Sequence, residues 1–129
     1  MNQLLSLQQK AKEYLIINPA ALQIMLQMQL NATRLHQSLL KAANTCGCIK
    51  LGTSKAPVPP DADWPTLKNQ PTGDDFTGLC PSCREELTER LGSLLFYTAA
   101  LANSLNLDLG SVCEHEIDKL DLLGYFMLM

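Results

Sequence analysis

The sequence is poor in positive charge and has no long hydrophobic run. Its 10 lysine and arginine residues are outnumbered by 13 acidic residues, which gives a formal net charge of -3. A broad basic face for the phosphates of DNA or RNA is therefore not expected, and nucleic acid is not an expected partner. No stretch approaches the ~18 consecutive apolar residues of a membrane-spanning helix, so no membrane association is expected either.

The N-terminus also lacks the features of a secretion signal. It reads MNQLLS, without the basic start and the short apolar run that such signals carry. A cytoplasmic protein is therefore expected. In that reducing compartment, closely spaced cysteines more often bind a metal or do redox chemistry than form permanent disulfides.

Strand patterns are absent, whereas apolar residues recur at helical spacing along much of the chain. With 129 residues, 47% of them hydrophobic, the chain has the length and composition of one domain with its own core. Helix breakers divide it into four helical segments, of which the second and third are long and are expected to pack antiparallel. The segments are 1–17, ended by Asn18-Pro19; 19–44; one beginning at Pro81; and 109–123, ended by Gly124.

Residues 45–80 form a different kind of segment, rich in proline and glycine and without helical period. Loops of more than about 15 residues are uncommon in compact domains unless they are functional, disordered or tied down. Gly92, inside the third helix, predicts a close backbone contact with another helix, because glycine otherwise weakens a helix by about 1 kcal/mol relative to alanine.

Two cysteine pairs flank this proline-rich loop. Cys46-Gly-Cys48 follows the second helix, and Cys80-Pro-Ser-Cys83 opens the third. Four thiolates suit tetrahedral zinc, and four protein ligands leave no open position for water, so the predicted zinc is structural. The free amides of a helix N-terminus would stabilise the second pair as thiolates. An iron–sulfur cluster and redox-active or disulfide-bonded cysteines remain alternatives from spacing alone.

The remaining candidate residues point to no further chemistry. Cys113 fits the inward face of the last helix as a small apolar side chain. Neither His36 nor His115 has a second ligand four residues away, so neither is predicted to bind metal. No Ser/His/Asp set and no phosphate-binding loop is present.

Residues 89–109, ERLGSLLFYTAALANSLNLDL, resemble the third-helix region of the MazG-like all-α nucleoside triphosphate pyrophosphohydrolases. EIDKL at residues 116–120 resembles the family's last helix, and the resemblance extends over roughly residues 20–123. It implies a four-helix MazG-like bundle in which the cysteine-flanked, zinc-stapled loop is an elaboration. It also implies a homodimer, since family members generally pair through their long helices.

The family's magnesium ligands have no counterpart here. Its Glu-Glu-x-x-Glu run falls on Leu30, Asn31 and Arg34, and its Glu-x-x-Asp falls on Arg90 and Ser93. Magnesium prefers oxygen ligands and is repelled by arginine, so magnesium is not expected to bind. The resemblance therefore implies a divergent, catalytically inactive member that acts in binding, regulation or assembly.

An anion site is the remaining expectation from the resemblance. Lys119 matches a family lysine that faces phosphate, so a nucleotide or another anion is a candidate ligand of Arg34, Arg90 and Lys119. Ordinary pairing of the arginines with glutamates or solvent is the alternative. The polar stripe at Gln23, Gln27, Asn31, Arg34 and Ser38 fits either a cleft wall or a solvated face.

Two rival functions remain. One is an active pyrophosphohydrolase whose carboxylates come from elsewhere, with Asp74, Asp75, Glu86 and Glu89 as candidates. The other is a zinc module that contacts nucleic acid, which the acidic composition disfavours.

Overall fold

The computed structural model describes residues 2–15, 20–51 and 78–124. Four α-helices make up most of this part of the chain: α1 (Asn2–Tyr14), α2 (Ala21–Lys41), α3 (Pro81–Ser104) and α4 (Leu109–Leu123). A single π-helical turn, Ala42–Cys46, continues α2. No strand occurs in the described ranges, which confirms the all-α class; the greater part of the predicted loop, 52–77, lies outside them.

The four helices described above include no candidate for a bilayer-spanning helix. None of them combines the length and the apolarity that crossing a bilayer requires.

The first two helices differ slightly from the sequence-based boundaries. Helix α1 ends at Tyr14 rather than near residue 17, and the Leu15 amide donates to the Ala11 carbonyl at 3.1 Å. The apolar series of Leu7, Ala11 and Leu15 has no apolar continuation three or four residues on, where Asn18 and Pro19 stand. Helix α2 gives way at Lys41 to the π-helical turn instead of running as an α-helix to residue 44.

The later boundaries agree with the sequence. Helix α3 begins at Pro81, and the Arg84 amide donates to the Cys80 carbonyl at 2.9 Å. At α4 the Asp108 carboxylate accepts the Ser111 amide at 3.1 Å, as an N-cap does, and Gly124 ends the helix. Pro81, Asp108 and Gly124 thus act as the boundary signals that their residue types predict.

The chain divides into two compact units: Met1–Leu35 together with Thr88–Met129, and His36–Leu87. The prediction of one domain over 1–129 stays a prediction. The first unit contains a core of small and branched side chains against which α1, α2 and α3 residues pack. Its buried members are Ala11, Ile24, Ala99 and Ala100, with Leu7, Leu15, Met28, Phe96, Tyr97, Leu101 and Leu109 partly buried around them.

Helix α1 is fastened to the turn between α3 and α4 through Gln8. Its amide nitrogen donates to the Leu107 carbonyl at 2.6 Å, and its amide oxygen accepts the Leu109 N–H at 2.9 Å. The Asn103 side chain donates to the Gln8 backbone carbonyl at 2.9 Å. Because the first amides of a helix have no partner within it, Gln8 satisfies a group of α4 that would otherwise lack one.

Gly92 makes the predicted close approach to no residue that the structure describes. A Cβ atom placed at Gly92 would meet no described atom within 4 Å beyond its own helix. The residue is exposed on α3, so its lack of a side chain is not needed for packing among the described residues.

The second unit holds both cysteine pairs. Among the described residues of this unit, Ala42 and Ile49 are the buried apolar side chains, and Ser38 on α2 is a buried polar one. The end of α2, the π-helical turn and the start of α3 therefore provide the scaffold on which the cysteines stand.

Candidate metal centre

The sulfur atoms of Cys46, Cys48, Cys80 and Cys83 converge on one point. All four lie within 4.8 Å of one another, and Cys46 Sγ and Cys80 Sγ are 3.8 Å apart. Cys46 is exposed and the other three are partly buried. The two pairs that the sequence predicted to meet are therefore brought together, although 34 positions separate Cys46 from Cys80.

These distances match the requirements of a single tetrahedral ion. With metal–sulfur bonds of about 2.3 Å, the edges of a regular sulfur tetrahedron measure about 3.8 Å. The Cys46–Cys80 separation of 3.8 Å already equals that edge. Since no pair exceeds 4.8 Å, shifts of roughly 1 Å or less would complete the tetrahedron.

The first pair is shaped by the π-helical turn and by Gly47. The Ala42 carbonyl accepts the Gly47 N–H at 2.9 Å and the Cys48 N–H at 3.1 Å, and Cys48 Sγ also lies 3.8 Å from it. Gly47 has φ 76° and ψ 12°, a left-handed conformation that glycine adopts without the cost a side chain would bring. This reversal turns Cys48 back so that its sulfur joins that of Cys46.

The second pair is built on the N-terminus of α3. Cys80 occupies the N-cap position: its carbonyl accepts the Arg84 amide, and its sulfur accepts the Cys83 N–H at 3.4 Å. Pro81 follows at the first helical position, where its fixed φ favours the helix and its missing N–H costs nothing. One turn of helix thereby places the Cys83 side chain on the same side as Cys80.

The two pairs meet where the backbones of Gly78 and Cys48 touch. A Cβ at Gly78 would lie 2.5 Å from the Cys48 carbonyl oxygen, closer than real Cβ contacts come. Only glycine fits at position 78 without moving its backbone away from that of Cys48. Sequence analysis missed this residue; the sole signal was a glycine two positions before Cys80.

Hydrogen bonds within the cluster separate the acidities of its thiols. The Cys83 backbone N–H, followed by the Cys83 side chain, lowers the pKa of Cys80 from 9.0 to about 7. The hydrogen bond with Cys80 raises the pKa of Cys83 to about 12, and it also raises the pKa of Cys46. Without metal, Cys80 is thus the thiolate that its neighbours stabilise.

The other sequence candidates lie outside this cluster. The group of potential ligands found among the described residues contains the four cysteines alone, without His36, His115 or Cys113. Cys113 is partly buried on α4, in the first unit.

The proposed anion ligands stand on three helices of the first unit, and no described contact joins them. Arg34 is exposed on α2, whereas the Nε atom of Arg90 is buried without a described hydrogen-bond partner. Lys119 pairs at 2.8 Å with Glu116 on its own helix. An anion site at these residues stays a prediction.

The polar stripe on α2 is not a uniformly solvated face. Asn31 is only 4% exposed, with its side chain donating to the Gln27 carbonyl at 2.7 Å, and Ser38 is 6% exposed. Of the acids suggested for a relocated magnesium site, Glu86 is partly buried and Glu89 is exposed, while Asp74 and Asp75 lie outside the described residues.

Comparison of the chain with protein-family models, with curated proteins and with solved structures finds no match. The MazG resemblance therefore rests on the quoted segments alone.

Proposed function

We propose that Cys46, Cys48, Cys80 and Cys83 bind one zinc ion whose role is structural. The observation that carries this proposal is the convergence of four sulfur atoms within 4.8 Å in two separate stretches of chain. All four side chains of the cluster would be ligands, so no position would remain for a water molecule or a substrate. The site would hold the chain together rather than activate a reactant.

Zinc is favoured over an iron–sulfur cluster by the small size of the site. A four-iron cluster is held by cysteines on separate irons, and a two-iron cluster by two cysteines on each iron, so their ligands spread around a larger body. Sulfur atoms that all lie within 4.8 Å suit a single ion better. Mononuclear iron shares this geometry, and measurement of zinc against iron distinguishes the two.

The ion would stabilise the second unit by joining the end of α2 to the start of α3. Cys46 and Cys80 are 34 positions apart, so bringing them together costs the chain between them conformational entropy. The free energy of binding one ion to both cysteines would offset that cost. In the described part of the unit, residues 36–51 and 78–87, the buried apolar side chains are those of Ala42 and Ile49. Metal binding free energy would therefore contribute a large share of its folding free energy.

For the whole chain we propose a divergent MazG-like domain that binds or assembles without hydrolysing nucleotides. Helix order and the lengths of α2, α3 and α4 support this, and so does the absence of carboxylates at positions 30, 31, 34, 90 and 93. Magnesium-dependent release of pyrophosphate from a panel of nucleoside triphosphates would favour the rival, an active enzyme with relocated acids.

A homodimer is part of the same proposal. Helix α2 buries Ile24 on one face, yet within the first unit it leaves large apolar side chains exposed on another: Leu22, Met25, Leu26 and Leu30. Only two of its 21 residues, Arg34 and Lys41, are charged. A helix that exposes several large apolar side chains on a face away from its core contact is typically covered on more than one side.

Metal analysis of protein purified without added metal tests the zinc centre. We expect about one zinc ion per chain and no iron, because four thiolates in tetrahedral reach retain zinc strongly. Iron in place of zinc, or no metal at all, would contradict the proposal.

A further inference from the structure

Two of the four sulfur atoms are placed for more than metal binding. Cys46 Sγ and Cys80 Sγ lie 3.8 Å apart and come from the two different stretches of chain. A disulfide needs a sulfur–sulfur distance of about 2.05 Å, so an approach of about 1.8 Å would join them. Cys46 is exposed to solvent, whereas Cys80 is partly buried.

We propose that the centre is redox-sensitive: hydrogen peroxide converts Cys46 and Cys80 into a disulfide and thereby releases the zinc ion. This inference rests on the zinc centre proposed above. It assigns the four cysteines unequal roles, with an exposed sulfur that meets the oxidant, a neighbouring sulfur that resolves it, and two ligands that are left behind.

The chemistry balances in two steps. The Cys46 thiolate attacks one peroxide oxygen; an S–O bond forms, the O–O bond breaks and hydroxide leaves, giving the sulfenic acid of Cys46. The Cys80 thiolate then attacks the Cys46 sulfur; the S–S bond forms, the S–O bond breaks and a second hydroxide leaves. The two sulfur atoms lose two electrons in total, and these electrons reduce the peroxide.

Exposure and placement select this pair: Cys46 is the exposed thiol of the cluster, and the Cys80 sulfur lies within reach of it on the other stretch of chain. The Cys80 sulfur is held in place by the Cys83 N–H at 3.4 Å and faces Cys46 at 3.8 Å. Exposed cysteines beside a resolving cysteine are the ones that oxidise reversibly. Cys48 and Cys83 would be left as two thiolates, and two ligands cannot hold a tetrahedral ion that needs four.

The oxidised form would keep the connection that the metal had made. A Cys46–Cys80 disulfide joins the end of α2 to the start of α3, the same two elements that the zinc ion joins. Oxidation would thus replace the zinc bridge between these elements with a disulfide bond. The released zinc ion would report that the oxidation had occurred.

The test uses the full chain and begins with its metal content. Zinc-loaded, reduced protein is treated with hydrogen peroxide while a chromophoric chelator records free zinc, and disulfides are mapped by mass spectrometry of peptides. We expect about one zinc ion released for each Cys46–Cys80 disulfide, and rebinding after treatment with a dithiol. Cys113→Ser, which changes a cysteine outside the cluster, should behave like the unaltered chain.

Different failures separate the two proposals. Protein that contains no zinc before oxidation overturns the zinc centre and this inference with it. Protein that contains zinc but keeps it under peroxide overturns the inference alone. So does zinc release accompanied mainly by Cys46–Cys48 or Cys80–Cys83 disulfides, or by sulfinic acid at Cys46 without any disulfide.

Discussion

At the scale of single residues, Gly78 shows how closely the two halves of the site approach. Its backbone lies against the carbonyl of Cys48, and a Cβ there would stand 2.5 Å from that oxygen. The neighbouring atom belongs to the backbone, so it cannot rotate away as a flexible side chain can. Ligand geometry on both sides therefore depends on a residue that is not itself a ligand.

We expect Gly78→Ala to weaken zinc binding by about 10- to 100-fold, the range seen when groups that position metal ligands are altered. Competition with a chelator of known affinity measures the effect. Gly92→Ala is the matched control, because a Cβ at Gly92 meets no described atom within 4 Å outside its helix. Equal zinc affinity in the two variants would show that Gly78 does not set the geometry of the site.

The unequal acidities of the thiols give a second prediction at this scale. In the reduced, metal-free chain the Cys83 N–H lowers the pKa of Cys80 to about 7, while Cys80 raises the pKa of Cys83 to about 12. Because the pKa of Cys80 is lower in the folded chain than in the unfolded chain, ionisation of Cys80 stabilises the folded state. This stabilisation is fully present above pH 9 and is lost as the pH falls through 7.

We therefore expect Cys80 to react with iodoacetamide at half its maximal rate near pH 7, because the thiolate is the nucleophile. Cys83 should stay slow up to about pH 9. Mass spectrometry of peptides after timed alkylation gives both rates. Faster modification of Cys83 than of Cys80 at pH 8 would contradict this order.

At the scale of helices, some helix ends are determined by the residue that stands at them. Pro81, Asp108 and Gly124 act through their own backbone or side chain, and the helices that they delimit begin and end where the sequence predicts. The π-helical turn at Ala42–Cys46 was not predicted, because the apolar spacing of α2 does not distinguish an α-helical from a π-helical continuation.

The fastening of α1 by Gln8 is an element-scale feature that sequence could not have revealed either. Its partners, Leu107 and Leu109, lie about a hundred positions away and offer backbone groups, which carry no sequence signal. The cysteine pairs differ in this respect. A tetrahedral metal ion needs four soft ligands in one place, so residue type and spacing were enough to predict that Cys46 and Cys80 lie in one site, as they do.

We expect Gln8→Ala to lower the free energy of unfolding by about 1 to 3 kcal/mol, since it leaves the Leu107 carbonyl and the Leu109 amide without that partner. Urea unfolding followed by circular dichroism measures the change. Gln9→Ala, next to it and exposed on α1, should shift the midpoint little. Equal urea midpoints for Gln8→Ala and Gln9→Ala would show that the hydrogen bonds of Gln8 do not stabilise the fold.

At the scale of the whole molecule, the exposed apolar side chains of α2 bear on assembly. Leu22 is 65% exposed and Leu26 is 50% exposed, on a helix with only two charges. Isolated exposed leucines are ordinary, but several on one helix are typical of a surface that another chain covers. These exposed side chains of α2 support the proposed homodimer independently of any family resemblance.

Leu26→Glu should convert a dimer to a monomer, because pairing would bury an unpaired carboxylate. Sedimentation equilibrium over a range of concentrations records the change. Gln9→Glu adds the same charge on α1 and should leave association intact. A wild-type chain that is monomeric throughout the range would contradict the dimer.

The central claim for the molecule is one structural zinc ion held by four cysteines. The most direct measurement is metal content in protein purified without added metal, compared among the wild-type chain, Cys46→Ser and Cys113→Ser. We predict about one zinc ion per chain in wild type and in Cys113→Ser, with a sharp fall in Cys46→Ser, because three ligands bind less tightly than four. A wild-type chain without bound metal and with a Cys80–Cys83 disulfide would contradict the claim.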